Sequence, residues 1–218
     1  MKALNRILWT VSLLAAACTA VAAEVELEGN RLLVSGVLDG SALKEFTDSL
    51  ATGKVRTVVF ANSMGGTADV AEAYATAIRS SGVQTEVIGQ CHAACAYAFL
   101  AGKDHRFGRG FQINGLLIPV AVRPARSADL MDRWRGDEAQ KQLAEFTTGG
   151  ASPTAMPAAQ PQQRDGWQAD HGVLFTSTPT LFGRVYNTFF CDGTQGRDLS
   201  KCELLTDADP YKLGVLTP

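Results

Sequence analysis

The sequence predicts an α/β fold built on a parallel sheet. Two observations carry this. Residues 55–61, Val-Arg-Thr-Val-Val-Phe-Ala, are a run rich in β-branched residues, which suggests a strand buried on both faces. From there strand and helix patterns alternate as far as Ile118. Strand–helix–strand–helix–strand order calls for parallel strands joined by crossover helices.

Each element has its own warrant. Residues 25–27 and 32–34 are short apolar segments around Gly29-Asn30, a hairpin turn. Residues 39–50 read as a helix with Leu43, Phe46 and Leu50 on one side. After the strand at 55–61, Asn62-Ser63-Met64-Gly65-Gly66 is a tight turn. Thr67 then caps a helix whose Val70, Ala71, Tyr74, Ala77 and Ile78 keep helical spacing until Gly82 stops it. Residues 85–88 form the next strand, 89–92 a turn, 93–100 a small-residue helix, and 111–118 a further strand. Residues 127–146 read as a polar helix with Leu130, Trp134, Leu143 and Phe146 as its apolar positions. Residues 147–171 carry Pro153, Pro157 and Pro161 and read as a flexible loop or lid. From residue 172 a small β-rich C-terminal extension follows, with Phe175, Phe182, Tyr186, Phe189 and Phe190 as core. The division expected is thus a leader at 1–23, an α/β domain at 24–146, the lid, and the extension at 172–218.

The leader has a basic start at Lys2 and Arg6, an apolar run over residues 7–17, and small residues up to Ala23. That order is a secretory signal, cleaved after Ala23 or Ala22, and it places the mature chain in the periplasm or outside the cell. The apolar run is shorter than the roughly 20 residues a membrane span requires. Cys18 raises lipid anchoring as the rival fate, but Leu14 stands one position too early for a good lipobox. With Cys18 removed, Cys91, Cys95, Cys191 and Cys202 remain, an even number that suggests disulfides in an oxidising compartment. Pairing of nearest neighbours, Cys91 with Cys95 and Cys191 with Cys202, is the simplest of three arrangements. The formal charge of −2 and the scattered Lys and Arg give no reason to expect nucleic acid or an anionic membrane as partner. Histidines and cysteines lack zinc-ligand spacing, and Met64-Gly65-Gly66-Thr67 lacks the Lys of a phosphate loop, so no metal or cofactor is expected.

One stretch carries a family resemblance. Asn62-Ser63-Met64-Gly65-Gly66 is followed by a helix, by Val83-Gln84-Thr85-Glu86-Val87-Ile88-Gly89, by Cys91-His92-Ala93-Ala94-Cys95, and by Phe99-Leu100-Ala101-Gly102 before Arg106. This resembles the Clp-protease/crotonase superfamily, within it the exported bacterial branch with a Cys-x-Ser-x-Cys site, over residues 53–115. The resemblance implies a ClpP/crotonase-like spiral of ββα units and acyl transfer by a Ser, a His base and an orienting Asp. It also implies rings or trimers. A neutral hydroxyl needs a base to take its proton and N–H groups to hold the oxyanion. Gly65, Gly66 and Ala94 stand where such N–H donors belong. Ala93, however, occupies the Ser position, and aligning Phe111-Gln112-Ile113 with the family strand puts Asn114 at the His position. The implied protein keeps the pocket without the reaction and binds a peptide, an acyl-like ligand or a partner protein. The alternatives are an active peptidase- or esterase-type hydrolase with a displaced nucleophile, and an oligomeric scaffold.

The other reactive residues each have a bland explanation. His92 reads as a loop histidine, His105 as part of a solvated loop, and Ser63 as a turn former. Cys91 and Cys95 read as a staple rather than as thiol nucleophiles beside His92. Asp170-His171 is a neighbouring pair with no serine tied to it by pattern.

Overall fold

The computed structural model describes residues 22–63, 65–119, 172–177 and 208–218, with the backbone alone at 185–186 and 204–205. The expected leader up to residue 21, the helix at 127–146, the lid at 147–171, Asp170-His171 and the pair Cys191 and Cys202 lie outside the described residues.

The architecture is α/β. Strands β1 (Glu24–Glu28) and β2 (Arg31–Ser35) form the expected hairpin, antiparallel, with Glu28 opposite Arg31. Helix α1 (Leu43–Ala51) leads to β3 (Thr57–Ser63), α2 (Ala68–Ser81) to β4 (Gln84–His92), and α3 (Ala94–Phe99) to β5 (His105–Phe107) and β6 (Gly115–Pro119). β2, β3 and β4 pair in parallel, and β4 continues in parallel to both β5 and β6. Beyond β6 the sheet turns antiparallel through β7 (Gly172–Thr176), β8 (Val185–Tyr186) and β9 (Leu204–Leu205). The C-terminal β-rich region is therefore a continuation of the main sheet.

One core unites sheet and helices. Leu32, Val34, Val58, Phe60 and Val87 from the strands are buried with Phe46, Leu50, Tyr74 and Ile78 from α1 and α2 and with Phe99 from α3. The Phe46 and Tyr74 rings lie 4.5 Å apart, closing α1 on α2. Ala22 bridges Val37 and Ala23 is buried, so the last residues of the expected leader adjoin the sheet.

Four expectations are corrected. Helix α1 begins at Leu43 rather than 39, because the Asp39 carboxylate accepts from the Ser41 N–H (2.9 Å) and hydroxyl (2.6 Å) and holds a local turn. Residues 89–92 are strand, not turn: β4 bends at Gly89 (φ 75°) and gains β6 as a new partner for Gln90, Cys91 and His92. Gly89 must be glycine, since a Cβ there would run into the Asn62 side chain, 2.8 Å from its Cγ. The strand expected at 111–118 begins only at Gly115, and Phe111 and Ile113 are exposed. Conversely β5 went unforeseen, and it buries His105 instead of leaving it in a solvated loop.

Candidate functional site

The site is built where two parallel strands turn into helices side by side. At the first crossing β3 ends in buried Ser63, whose register partner is Cys91 on β4. Gly65 (φ 129°) and Gly66 (φ 157°) follow, and Thr67 accepts from the Val70 N–H to start α2. Gly66 bridges Leu38, with the Leu38 N–H donating to the Gly65 carbonyl at 2.9 Å.

At the second crossing β4 ends at His92, and α3 begins at Ala94 with no side-chain cap. Between them Ala93 sits at φ 51° and ψ −110°, one of two described non-glycine residues with positive φ. For an L-residue with a Cβ this costs on the order of 1–3 kcal/mol, and it persists only where the surroundings over-determine it. Here they do. The Ala93 N–H donates to the Leu117 carbonyl of β6 at 2.9 Å, and its carbonyl accepts from Tyr97 N–H at 3.0 Å. The Cys91–Cys95 disulfide brackets the turn, tying the end of the strand to the first turn of the helix across a Cα–Cα distance of 5.3 Å. The nearest-neighbour pairing is thus present for the first cysteine pair. Both cysteines are fully buried.

The two crossings face each other. A Cβ built on Gly65 would lie 4.0 Å from the Ala93 Cβ and 3.9 Å from the His92 carbonyl oxygen. Gly65 and Ala93 are therefore neighbours across the two crossings. Ala94, in the first turn of α3, has an N–H with no acceptor inside its own helix by position. Gly66 is turned to Leu38 instead: a Cβ there would strike the Leu38 backbone.

His92 is buried on the strand rather than in a loop. Its Nε2 is 3.0 Å from Gln90 Oε1, while Gln90 Nε2 donates to the Ile113 carbonyl at 3.2 Å. Because the amide nitrogen is turned to Ile113, the oxygen faces the imidazole, and Nε2 of His92 carries the proton. Burial pushes its pKa down to about 4, so the ring is neutral at pH 7. Gln90 was missed by sequence reasoning. Its signal was its place two residues before His92 on a strand, which puts both on one face.

Asn114 is committed elsewhere. Its Oδ1 accepts from Gly89 N–H at 2.7 Å and its Nδ2 donates to the Gly108 carbonyl at 2.8 Å. Its own N–H donates to Ser177 Oγ at 2.9 Å. The β6 residue that borders Ala93 is Leu117, which no sequence signal marked. His105 donates from Nδ1 to the Val215 carbonyl at 2.8 Å, tying the C-terminal segment to β5, and burial lowers its pKa.

Among the described residues no group of His, Cys, Asp and Glu side chains gathers as a metal site would. An open groove of about 570 Å³ lies apart from the elbow, lined by residues that include Glu24, Glu26, Leu33, Ser35, Glu45 and Ala61. Chemically, the elbow carries a methyl group at Ala93, facing Gly65, where a side-chain hydroxyl or thiol would stand in a nucleophile elbow.

No family model matches the sequence, and comparison with curated proteins gives no match. Among solved structures the chain is similar to ClpP1 from Listeria monocytogenes, at 17% identity and TM-score 0.38, over 55% of this chain and 78% of that one. It is similar to an enoyl-CoA hydratase from Polaromonas sp. JS666, at 14% identity and TM-score 0.30, over 44% and 51%. A membrane-bound stomatin-specific protease is similar at 17% identity and TM-score 0.33, over 45% and 50%. The chain spans about half the length of the last two. Likenesses this loose carry no argument about chemistry, and the functional reading rests on the elbow itself.

Proposed function

We propose that this chain is an exported, non-catalytic relative of the Clp-protease/crotonase type that binds a peptide, an acyl-like ligand or a partner protein without cleaving it. The observation that carries the reading is Ala93: a strained strand-to-helix elbow, clamped by a disulfide and faced by Gly65, that presents only a methyl group. Elbows of this kind serve to expose a nucleophile above a sheet. Here the nucleophile is absent and the amide of Asn114 is used on backbone groups. Loss of two members of a catalytic triad leaves only binding and oxyanion contacts. The displaced-nucleophile alternative loses support at Cys95, which is disulfide-bonded and buried.

A fluorophosphonate probe tests the reading. The purified protein stays unlabelled, and Ala93→Ser is labelled no faster than denatured protein, because among the described residues Asn114, not a base, stands at the implied His position and its amide is bound to backbone groups. Labelling of the wild type that vanishes on changing a single serine would overturn it. On the binding side, a panel of short peptides and acyl compounds is screened by thermal shift. Ligands that stabilise the wild type lose their effect in Ala93→Leu, whose side chain fills the space before Gly65.

A further inference from the structure

We infer that leader removal cuts after Ala22, and that the α-ammonium this creates on Ala23 pairs with the Asp39 carboxylate at the groove beside β1. This rests on the export reading above, and it decides between the two cleavage positions that the leader pattern leaves open.

Sequence and structure favour the same bond by separate routes. Leader cleavage calls for small residues in an Ala-x-Ala-like pattern just before the cut. Ala20-Val21-Ala22 is Ala-x-Ala, whereas Val21-Ala22-Ala23 puts a larger, branched residue first. In the fold, Ala22 bridges Val37 in parallel, so Ala23 runs alongside the segment that carries Asp39. Ala23 is only 8% exposed and belongs to the apolar core, while Glu24 after it is exposed. A cut after Ala23 discards a core residue. A cut after Ala22 keeps it as the first residue of the sheet.

The new terminus is surrounded by acid. The Asp39 carboxylate accepts from the Ser41 hydroxyl at 2.6 Å and the Ser41 N–H at 2.9 Å. These bonds hold its pKa below the ordinary value, with a smaller contribution in the same direction from the Ala23 N–H. Once the peptide bond to Ala22 is cut, that N–H becomes an ammonium, protonated in the main at pH 7 and next to an ionised carboxylate. Ala23 also lines the groove, with Ser41 and Ala42 and with Glu24, Glu26 and Glu45, whose side chains are exposed. Among the described residues that line it there is no Lys, Arg or His. Nearby, the Tyr74 phenol is held neutral, its pKa pushed up to about 12 by burial and by the Asp39 charge. One fixed cation at Ala23 therefore meets carboxylates alone, and it offsets their mutual repulsion.

Two measurements test this. The full chain is expressed with its leader in a bacterium, recovered from the periplasm and read by intact mass and N-terminal sequencing. Ala23 is expected as the first residue. A chain beginning at Glu24, or at a lipid-modified Cys18, would overturn the inference and leave export standing. A chain that keeps Met1 would overturn the export reading and this inference with it. The ion pair is read from the acylation rate of the Ala23 amine at about pH 8, followed by peptide mapping. At low salt the wild type is expected to react about threefold more slowly than Asp39→Asn, because the carboxylate keeps the amine protonated, and the difference should vanish near 1 M salt. Equal rates at low salt would remove the pair. So would a difference that survives high salt, since that reports a loosened chain end rather than a charge.

Discussion

The two strand-to-helix crossings solve one geometric problem in opposite ways. At β3–α2 the backbone reaches positive φ on Asn62, a residue type that tolerates it, and on Gly65 and Gly66, and Thr67 caps the helix that follows. Local chemistry and global fold agree there. At β4–α3 the same reversal falls on Ala93, without a cap, and a disulfide holds it in place. Local preference and fold disagree, and such disagreements collect at functional positions, where strain is retained for what it presents. The first crossing is a relaxed wall of the site; the second is its stressed centre.

This contrast can be broken by substitution. The largest effect belongs to Gly66→Ala, whose Cβ would lie 2.7 Å from the Leu38 Cβ and closer still to the Leu38 carbonyl oxygen. Backbone cannot yield as a flexible side chain would, so a loss of about 4 kcal/mol is expected by urea denaturation. Gly65→Ala meets only ordinary contacts at 3.9 and 4.0 Å and carries the backbone strain of φ 129° alone, so it should lose about 2 kcal/mol. Equal losses would mean that the two glycines do not divide their roles between Leu38 and Ala93.

Acidification comes next, and of the two crossings it addresses the second, through His92. The buried His92 has a folded pKa of about 4 against 6.5 in the free side chain. Between those values the unfolded chain takes up a proton that the folded chain refuses. Stability therefore falls as pH drops through 6.5 toward 4, by up to about 3 kcal/mol. His105, lowered by burial too, acts in the same direction. Urea midpoints at about pH 7.5 and 4.5 measure the slope, and His92→Gln should flatten most of it. A slope unchanged in that variant would remove His92 from the account.

Opening the clamp is a smaller step. Cys95→Ala should cost about 2 kcal/mol, the chain entropy of so short a loop. Reductant should lower the stability of the wild type by about 2 kcal/mol more than that of the variant. The smallest effect has the opposite sign. Ala93→Gly relieves the positive φ and should raise stability by about 1 kcal/mol, despite the greater freedom of glycine in the unfolded chain. A destabilised Ala93→Gly would show that the elbow is not strained.

Much of the frame was legible beforehand because it follows from local rules. Thr67 and Gly82 bound α2 as expected, and the valine-rich run became a central parallel strand. The Cys91–Cys95 disulfide is the nearest-neighbour pairing, the simplest of the three that the pattern left open. The misreadings share a cause. His92 and His105 looked solvated because glycines and charges surround them in sequence, yet strand pairing from distant segments covers both. Phe111 looked buried because it stands in an apolar run, yet Asn114 fastens the chain below it and leaves it outside.

By itself, then, the sequence determined the alternation of strands and helices, the caps, the glycine turn and the absence of a hydroxyl at position 93, since each depends on residues close along the chain. Tertiary structure alone decided that Ala93 is held at positive φ, that Leu117 rather than Asn114 borders it, that Gln90 sets the His92 tautomer, and that the C-terminal strands extend the main sheet. Those depend on register between segments far apart in sequence, and no local pattern encodes which carbonyl a given N–H will meet.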